Sequence, residues 1–264
     1  MPSLHAVGVR HQLVHQIEEL AANAWPAPVV QLMGGWRLRF AWGITRRANS
    51  VLPNDYHGGP DLDERVALAE AFYARRGLPA RYQISPAARP AGLDGMLAGR
   101  GYRRHLRILV LCAELAAVRD RLHAPRDRAA VTGAPDAAWL DTMRAMLGYY
   151  GDGAVAGRML ESIGPPAGFA AVRQAGRPLA IGRAVAERGF AGVFGMATVP
   201  EARGQGLGRA VLAALAGWAA DHGATRLYLQ VDDDNLAALR LYQRAGFEPA
   251  YAYHYRQLPR RQGD

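Results

Sequence analysis

Three glycines, Gly204, Gly206 and Gly208, alternate within Glu201-Ala202-Arg203-Gly204-Gln205-Gly206-Leu207-Gly208-Arg209. Glycine permits a positive φ and lets a ligand approach the backbone closely. Successive N–H groups in such a loop can form an anion nest, and a following helix N-terminus adds positive potential. Phosphate is the natural guest, and Arg203 and Arg209 flank the loop with charge. The same residues also suit a plain connecting turn. Farther on, Asn235 and Tyr242 stand seven residues apart. On a helix that is two turns, one face, and about 10 Å along the axis. Tyr242 can be a core aromatic or, where its hydroxyl reaches a reacting atom, a proton donor.

Other chemistries fail on spacing. A dinucleotide fingerprint needs its third glycine five residues after the first, and that position is Arg209. A P-loop needs Gly-Lys followed by Ser or Thr, and the chain has no lysine. It has no Gly-x-Ser-x-Gly elbow. His11 and His15 are separated by Gln12, Leu13 and Val14, so the glutamate of a metalloprotease helix is missing, and both are expected at the surface. Cys112 is the only cysteine, which excludes an intramolecular disulfide and a thiolate-built zinc site. No metal is expected.

These residues need elements to hold them. Val193–Val199 is an apolar run of strand length that Pro200 ends. After the glycines, Val211, Leu212, Leu215 and Trp218 mark one face of a helix, with Gly223 at its end. Leu227–Val231 reads as a strand, Asp232–Asp234 as a turn, Leu236–Ala245 as a short helix stopped by Gly246, and Tyr251–Leu258 as a last strand. Upstream, Ala129–Thr132 reads as a strand and Asp136–Leu147 and Ala154–Ile163 as helices. Phe169–Arg173 and Leu179–Ala186 form a hairpin. The order β-α-α-β-β-β-α-β-α-β is that of a mixed α/β domain.

The first half repeats the end of this order. A shift of 145 residues lays Gly246-Phe247 on Gly101-Tyr102, Leu229 on Ile84 and Val211 on Val66. The predicted helix Leu62–Arg76 then matches the helix after the glycine loop, Tyr82–Ile84 the second strand, Leu93–Arg100 the short helix, and Tyr102–Cys112 the last strand. The expected division is 1–117, a charged linker at 118–128, and 129–264.

Arg203-x-x-Gly206-x-Gly208 after an apolar strand, then Asn235, then Leu241-Tyr242-x-x-x-Gly246-Phe247, resembles the GNAT superfamily of N-acetyltransferases. With the repeat, the whole resembles a tandem GNAT: two mixed sheets, each flanked by helices, the first copy degenerate. The resemblance implies acetyl-CoA as cosubstrate, in a cleft where two strands splay. Met196, Ala197 and Thr198 would offer backbone groups to the pantetheine arm. Arg203, Gly204, Gln205, Gly206, Leu207, Gly208 and Arg209 would cradle the pyrophosphate. Asn235 would contact the cofactor arm, and Tyr242 would lie near the thioester sulfur and protonate the leaving thiolate. An amine-bearing small molecule or peptide would attack directly in a ternary complex. Many relatives carry a glutamate base where this chain has Gln230, which is no base at neutral pH. Asp232, Asp233, Asp234 and Glu187 are candidates for that role, although the three aspartates also suit a turn and helix cap. A non-catalytic acyl-CoA-binding or sensor protein is the alternative.

In the first half the shift lays the glycine loop on Gly59-Pro60-Asp61-Leu62-Asp63, Asn235 on Pro90 and Tyr242 on Leu97. Acidic residues at a helix start would repel a pyrophosphate, so this half is expected to bind no CoA. Trp36, Arg46, Arg47, Asn49 and Tyr56 could wall an acceptor site or serve as ordinary core and surface.

Composition narrows the class further. The chain has 264 residues, half of them hydrophobic and 21% charged, with a net charge of +9 carried by 32 arginines. That excludes disorder as the default. No apolar run approaches the roughly 18 residues of a spanning helix, and a secretory leader is not expected at Met1–Arg10, which lacks a charged segment followed by an apolar stretch. A soluble, cytoplasmic protein without a membrane partner is expected. The arginines are scattered rather than clustered, so nucleic acid is not expected as a partner.

Overall fold

A computed structural model describes residues 4–122, 128–147 and 153–259. Its contacts group into two compact units: Met1–Ile108 with Tyr251–Asp264, and Leu109–Ala250. The mixed α/β class expected from the sequence holds in both.

The first unit starts with helix α1 (Leu4–Asn23). A hairpin follows, β1 (Val29–Met33) and β2 (Trp36–Phe40), closed by Gly34 and Gly35 at φ 51° and 91°. Two central residues with positive φ make the tight turn that suits twisted strands. Then come β3 (Val51–Leu52), α2 (Leu62–Ala74), β4 (Arg81–Ile84) and α3 (Leu93–Gly99). Strand alternation sorts the side chains. Trp36, Leu38, Tyr82 and Ile84 pack with Val66, Phe72 and Tyr73 of α2 and Leu97 of α3. On the other face Arg39 donates to Gln83 (3.0 Å) and Gln83 to Glu18 of α1 (2.5 Å). Burial pushes the Glu18 carboxyl up. Arg65 is an arginine in the core: it donates to the carbonyls of Met33, Gly34, Gly58 and Pro60, which makes its burial tolerable.

The last strand of the chain, β11 (Glu248–Gln257), joins this first unit from Tyr251 on. It runs antiparallel to β4, His254 opposite Ile84 and Gln257 opposite Arg81. The contact units therefore cut the chain elsewhere than at 118–128.

The second unit takes over inside β5 (Arg103–Glu114), from Leu109. It continues with α4 (Leu115–Arg121), β6 (Ala130–Thr132), α5 (Ala137–Leu147), α6 (Gly153–Glu161), β7 (Ala167–Gln174), β8 (Arg177–Glu187), β9 (Phe190–Thr198), α7 (Leu207–Asp221), β10 (Arg226–Asp232) and α8 (Leu236–Ala245). Strands β6 to β9 are antiparallel neighbours, β10 is parallel to β9, and β5 follows β10. The expected linker begins as helix α4, and residues 123–127 of it lie outside the described residues.

Helix α7 covers one face of this sheet with Val211, Leu212 and Leu215, all fully buried. Each such burial contributes about 1.5–3 kcal/mol. The helix sits close because the sheet is bare beneath it: a Cβ on Gly182 would lie 2.8 Å from Val211, and one on Gly168 2.6 Å from the Trp218 ring. On the opposite face Trp139 of α5 packs edge-on against Phe169 and donates to the Ala170 carbonyl. Element starts in the two halves coincide under the 145-residue shift: α2 at 62 and α7 at 207, β4 at 81 and β10 at 226, β5 at 103 and β11 at 248.

Candidate active site

The site begins with an irregularity in β9. Against β8, Thr198 lies opposite Ala180 and Ala197 opposite Ile181, but Phe194 lies opposite Arg183. One extra residue has entered β9, and Gly195 sits there at φ 61°. A bulge of this kind increases local twist and turns the strand. Its consequence appears on the other edge. The parallel ladder between β9 and β10 runs from Phe190 and Arg226 to Val193 and Leu229 and goes no further, although β9 reaches Thr198 and β10 reaches Asp232. A fork opens, and the β10 side of Met196, Ala197 and Thr198 has no ladder partner. Met196 is aimed toward α7: a Cβ on Gly182 would come within 2.5 Å of its sulfur.

The glycine loop follows directly. Pro200–Ala202 makes one 3-10 turn, and Arg203 folds back so that its Nε donates to the Thr198 carbonyl (3.3 Å). Gln205 donates to the Glu201 carbonyl (3.2 Å). Gly204 and Gly206 have φ of 76° and 75°, and a Cβ on either would meet nothing within 4 Å. Helix α7 then starts with Gly206 as its cap and no side chain on its first amides. This is an open, donor-rich cradle, which fits a phosphate group. Leu207 is buried, so only its backbone can serve the loop; Arg209 is exposed. Gly208 sits where three elements meet, since its Cβ would lie 3.5 Å from Leu241 and 3.8 Å from the Thr198 hydroxyl.

Helix α8 carries the other two residues. Asn235 caps it, its Oδ1 accepting from Ala238 N (3.1 Å). That leaves the Nδ2 donor for any ligand. Tyr242 is buried, its ring against Phe247. Its hydroxyl has no hydrogen-bond partner among the described residues, and burial alone raises its pKa. The phenol therefore stays protonated at neutral pH.

Gln230 is half-buried and immediately follows Leu229, the last residue of the parallel ladder, so it stands at the mouth of the fork. Asp232 and Asp234 serve the turn with their carbonyls, which accept from Asn235 N and Leu236 N. Glu187 lies opposite Phe190, at the far end of β9 from the loop. Six residue steps lead from Phe190 to Met196, about 20 Å, so Glu187 is not brought to this site.

The first unit differs at the matching positions. The start of α2 is capped by Asp61, whose carboxylate accepts from Glu64 N (2.9 Å), so an internal carboxylate takes one first-turn amide, where α7 has no side-chain cap. Leu97, at the position of Tyr242, is core. Trp36 is core and donates to the Arg89 carbonyl. Asn49 is buried and accepts from Ala41 N and Gly43 N. Tyr56 lies under the Arg65 guanidinium at 4.3 Å. Arg46 is exposed and Arg47 half-buried. Sequence reasoning missed Gly195: it lies inside an unbroken apolar run, and a glycine there is the only signal of a bulge.

A bulged strand, a fork and a glycine cradle on one mixed sheet define the GNAT class of N-acetyltransferase fold. A solved GCN5-related N-acetyltransferase from Kribbella flavida shares it with a TM-score of 0.66 at 17% identity, over 95% of this chain and 97% of that one. A solved tandem GNAT protein from the clavulanic acid biosynthesis pathway matches with a TM-score of 0.62 at 14% identity, over 94% of this chain and 89% of that one. The chain belongs to the family described as "Probable histone acetyltransferase Rv0428c C-terminal", whose model matches residues 13–256. It is also 32% identical to "Uncharacterized N-acetyltransferase YobR" of Bacillus subtilis (strain 168), over 92% of this chain and 98% of that one. Its relatives are acetyltransferases by name, and acetyl transfer is the activity class they support.

Proposed function

We propose that the chain is an acetyl-CoA-dependent N-acetyltransferase with two GNAT-like halves, of which only the C-terminal half, 129–264, binds the cosubstrate. The observation that carries this is the cradle: two positive-φ glycines facing open space, at an uncapped helix start, beside a forked strand pair. Acetyl-CoA supplies an activated acetyl thioester. Backbone groups of Met196, Ala197 and Thr198 would hold its pantetheine arm, and residues 203–209 its diphosphate. The Asn235 Nδ2 would donate to the arm. A backbone N–H at the bulge would stabilise the carbonyl oxygen as it gains charge.

The acceptor is an amine on a small molecule or peptide, held for direct attack. Tyr242 would donate a hydrogen bond to the departing sulfur. Its raised pKa makes full proton release unfavourable, so the proton that ends on the thiol comes, in balance, from the attacking amine. Gln230 offers no base, which favours an acceptor that arrives partly neutral or a water relay. The same residue favours the second reading, a non-catalytic acyl-CoA sensor.

Isothermal titration with acetyl-CoA tests the proposal. One molecule per chain, lost in Gly206→Glu, supports it. No binding by the wild type overturns it, and two molecules per chain would overturn the assignment of the first half. Binding without turnover in a broad amine screen would select the sensor.

A further inference from the structure

Arg128 lies far from the glycine motif in sequence, yet its Nη2 donates to the Gln205 carbonyl at 3.2 Å, across 77 residues. Gln205 is the residue between the two positive-φ glycines. Arg128 reaches it from the start of β6, which pairs with β7 from Ala130 opposite Ala171. The contact thus fastens a guanidinium to the rim of the cradle.

Two other arginines of this unit are held by carboxylates. Arg177 is paired with Glu201 (2.7 Å), and Arg173 with Asp136 (2.7 Å). Arg203 spends its Nε on the Thr198 carbonyl. Arg128 is exposed and has no carboxylate partner among the described residues. A guanidinium has five donors in a planar fork suited to phosphate oxygens. One serves Gln205, and no described residue takes the rest. A carbonyl alone gives no reason to place an uncompensated cation there; a dianionic guest does.

We propose that Arg128 binds the diphosphate of the CoA thioester, as a clamp from outside the motif that also holds the loop in shape. This rests on the acyl-CoA reading of the site. The Gln205 contact selects the diphosphate over the 3′-phosphate, because Gln205 belongs to the segment that would cradle it.

The test is titration of the full chain with CoA, dephospho-CoA and pantetheine, from 50 to 500 mM salt on the order used to screen surface charge, for wild type, Arg128→Gln and Arg128→Lys. Unchanged melting temperatures confirm intact variants. The expected result is that Arg128→Gln weakens CoA and dephospho-CoA equally, about tenfold at low salt. Pantetheine would be unaffected, the gap would narrow as salt rises, and Arg128→Lys would recover part of the loss. If CoA weakens and dephospho-CoA does not, the diphosphate assignment falls. Equal weakening of pantetheine, with no salt dependence and no rescue by lysine, would make Arg128 a loop strut only. Wild type and Arg128→Gln binding CoA alike would overturn the clamp while leaving the acyl-CoA reading intact. Wild type failing to bind CoA would overturn that reading itself.

Discussion

Gly208 and Leu241 are in contact distance through the one place where a side chain is missing: a Cβ on Gly208 would lie 3.5 Å from Leu241 Cδ2. This couples the first turn of α7 to the helix that carries Tyr242. Gly208→Ala fits at ordinary contact with the protein and gains helix propensity, so it should stabilise by up to about 1 kcal/mol, while its Cβ in the cradle should weaken CoA binding. Gly208→Leu must push Leu241 away, at about 1–3 kcal/mol. Thermal unfolding and titration of the two variants would show the expected split.

Tyr242→Phe removes a hydroxyl that bonds to nothing among the described residues. Stability should change by well under about 1 kcal/mol. If the hydroxyl serves the departing sulfur, kcat should fall about a hundredfold with KM for acetyl-CoA nearly unchanged. Unaltered kcat would remove Tyr242 from the chemistry.

Gly206→Ala places a side chain at φ 75° in open space. The strain is local, about 1–2 kcal/mol, and no clash accompanies it. The melting temperature should drop, while Gly206→Asn, which tolerates the left-handed region better, should drop less. Equal losses for both would point to a different conformation of the loop.

Asp94 joins α3 to the last strand. It accepts from Arg256 (2.7 Å) and His254 (2.8 Å), and chiefly the Arg256 hydrogen bond lowers its pKa to about 2. A carboxyl with a depressed folded pKa stabilises above its unfolded value, near 3.9, and that stabilisation is lost as pH falls through the folded one. Urea unfolding of wild type and Asp94→Asn should therefore differ at pH 6 and converge between about pH 4 and pH 2. Partial exposure of Asp94 screens the pair and keeps the difference modest.

Local signals in the sequence carried far. Gly223 and Gly246 follow the ends of α7 and α8, and Pro200 follows the end of β9, as expected, because each stop depends on a backbone conformation that one residue type prefers. The hairpin around Ala175-Gly176 was equally legible. Long-range pairings were not. Nothing local in Tyr251–Gln257 tells that its partner is β4. Nothing in the sequence singles out Arg65, and only the fold brings four carbonyls around it. The grip of Arg128 on Gln205 is hidden for the same reason: a hydrogen bond across 77 residues leaves no periodicity.

Chain 118–264 made alone would carry β11 without β4, its partner from Arg81 to Ile84, and would lack the β5 residues that follow β10 in the sheet. Such a fragment should show no cooperative unfolding transition and should self-associate, which circular dichroism and light scattering would detect. A cooperative, monomeric fragment would disprove this.

The chain thus passes between its units in mid-strand, once within β5 and once within β11. For inheritance, this acts as a lock. A half that has lost its ligand would ordinarily drift toward deletion. Here β5 begins in the first unit and ends in the second, and β11 begins in the second and ends in the first. On the proposed function, selection on the C-terminal cradle would therefore also be selection on the first unit, and the two would be retained, moved or lost together.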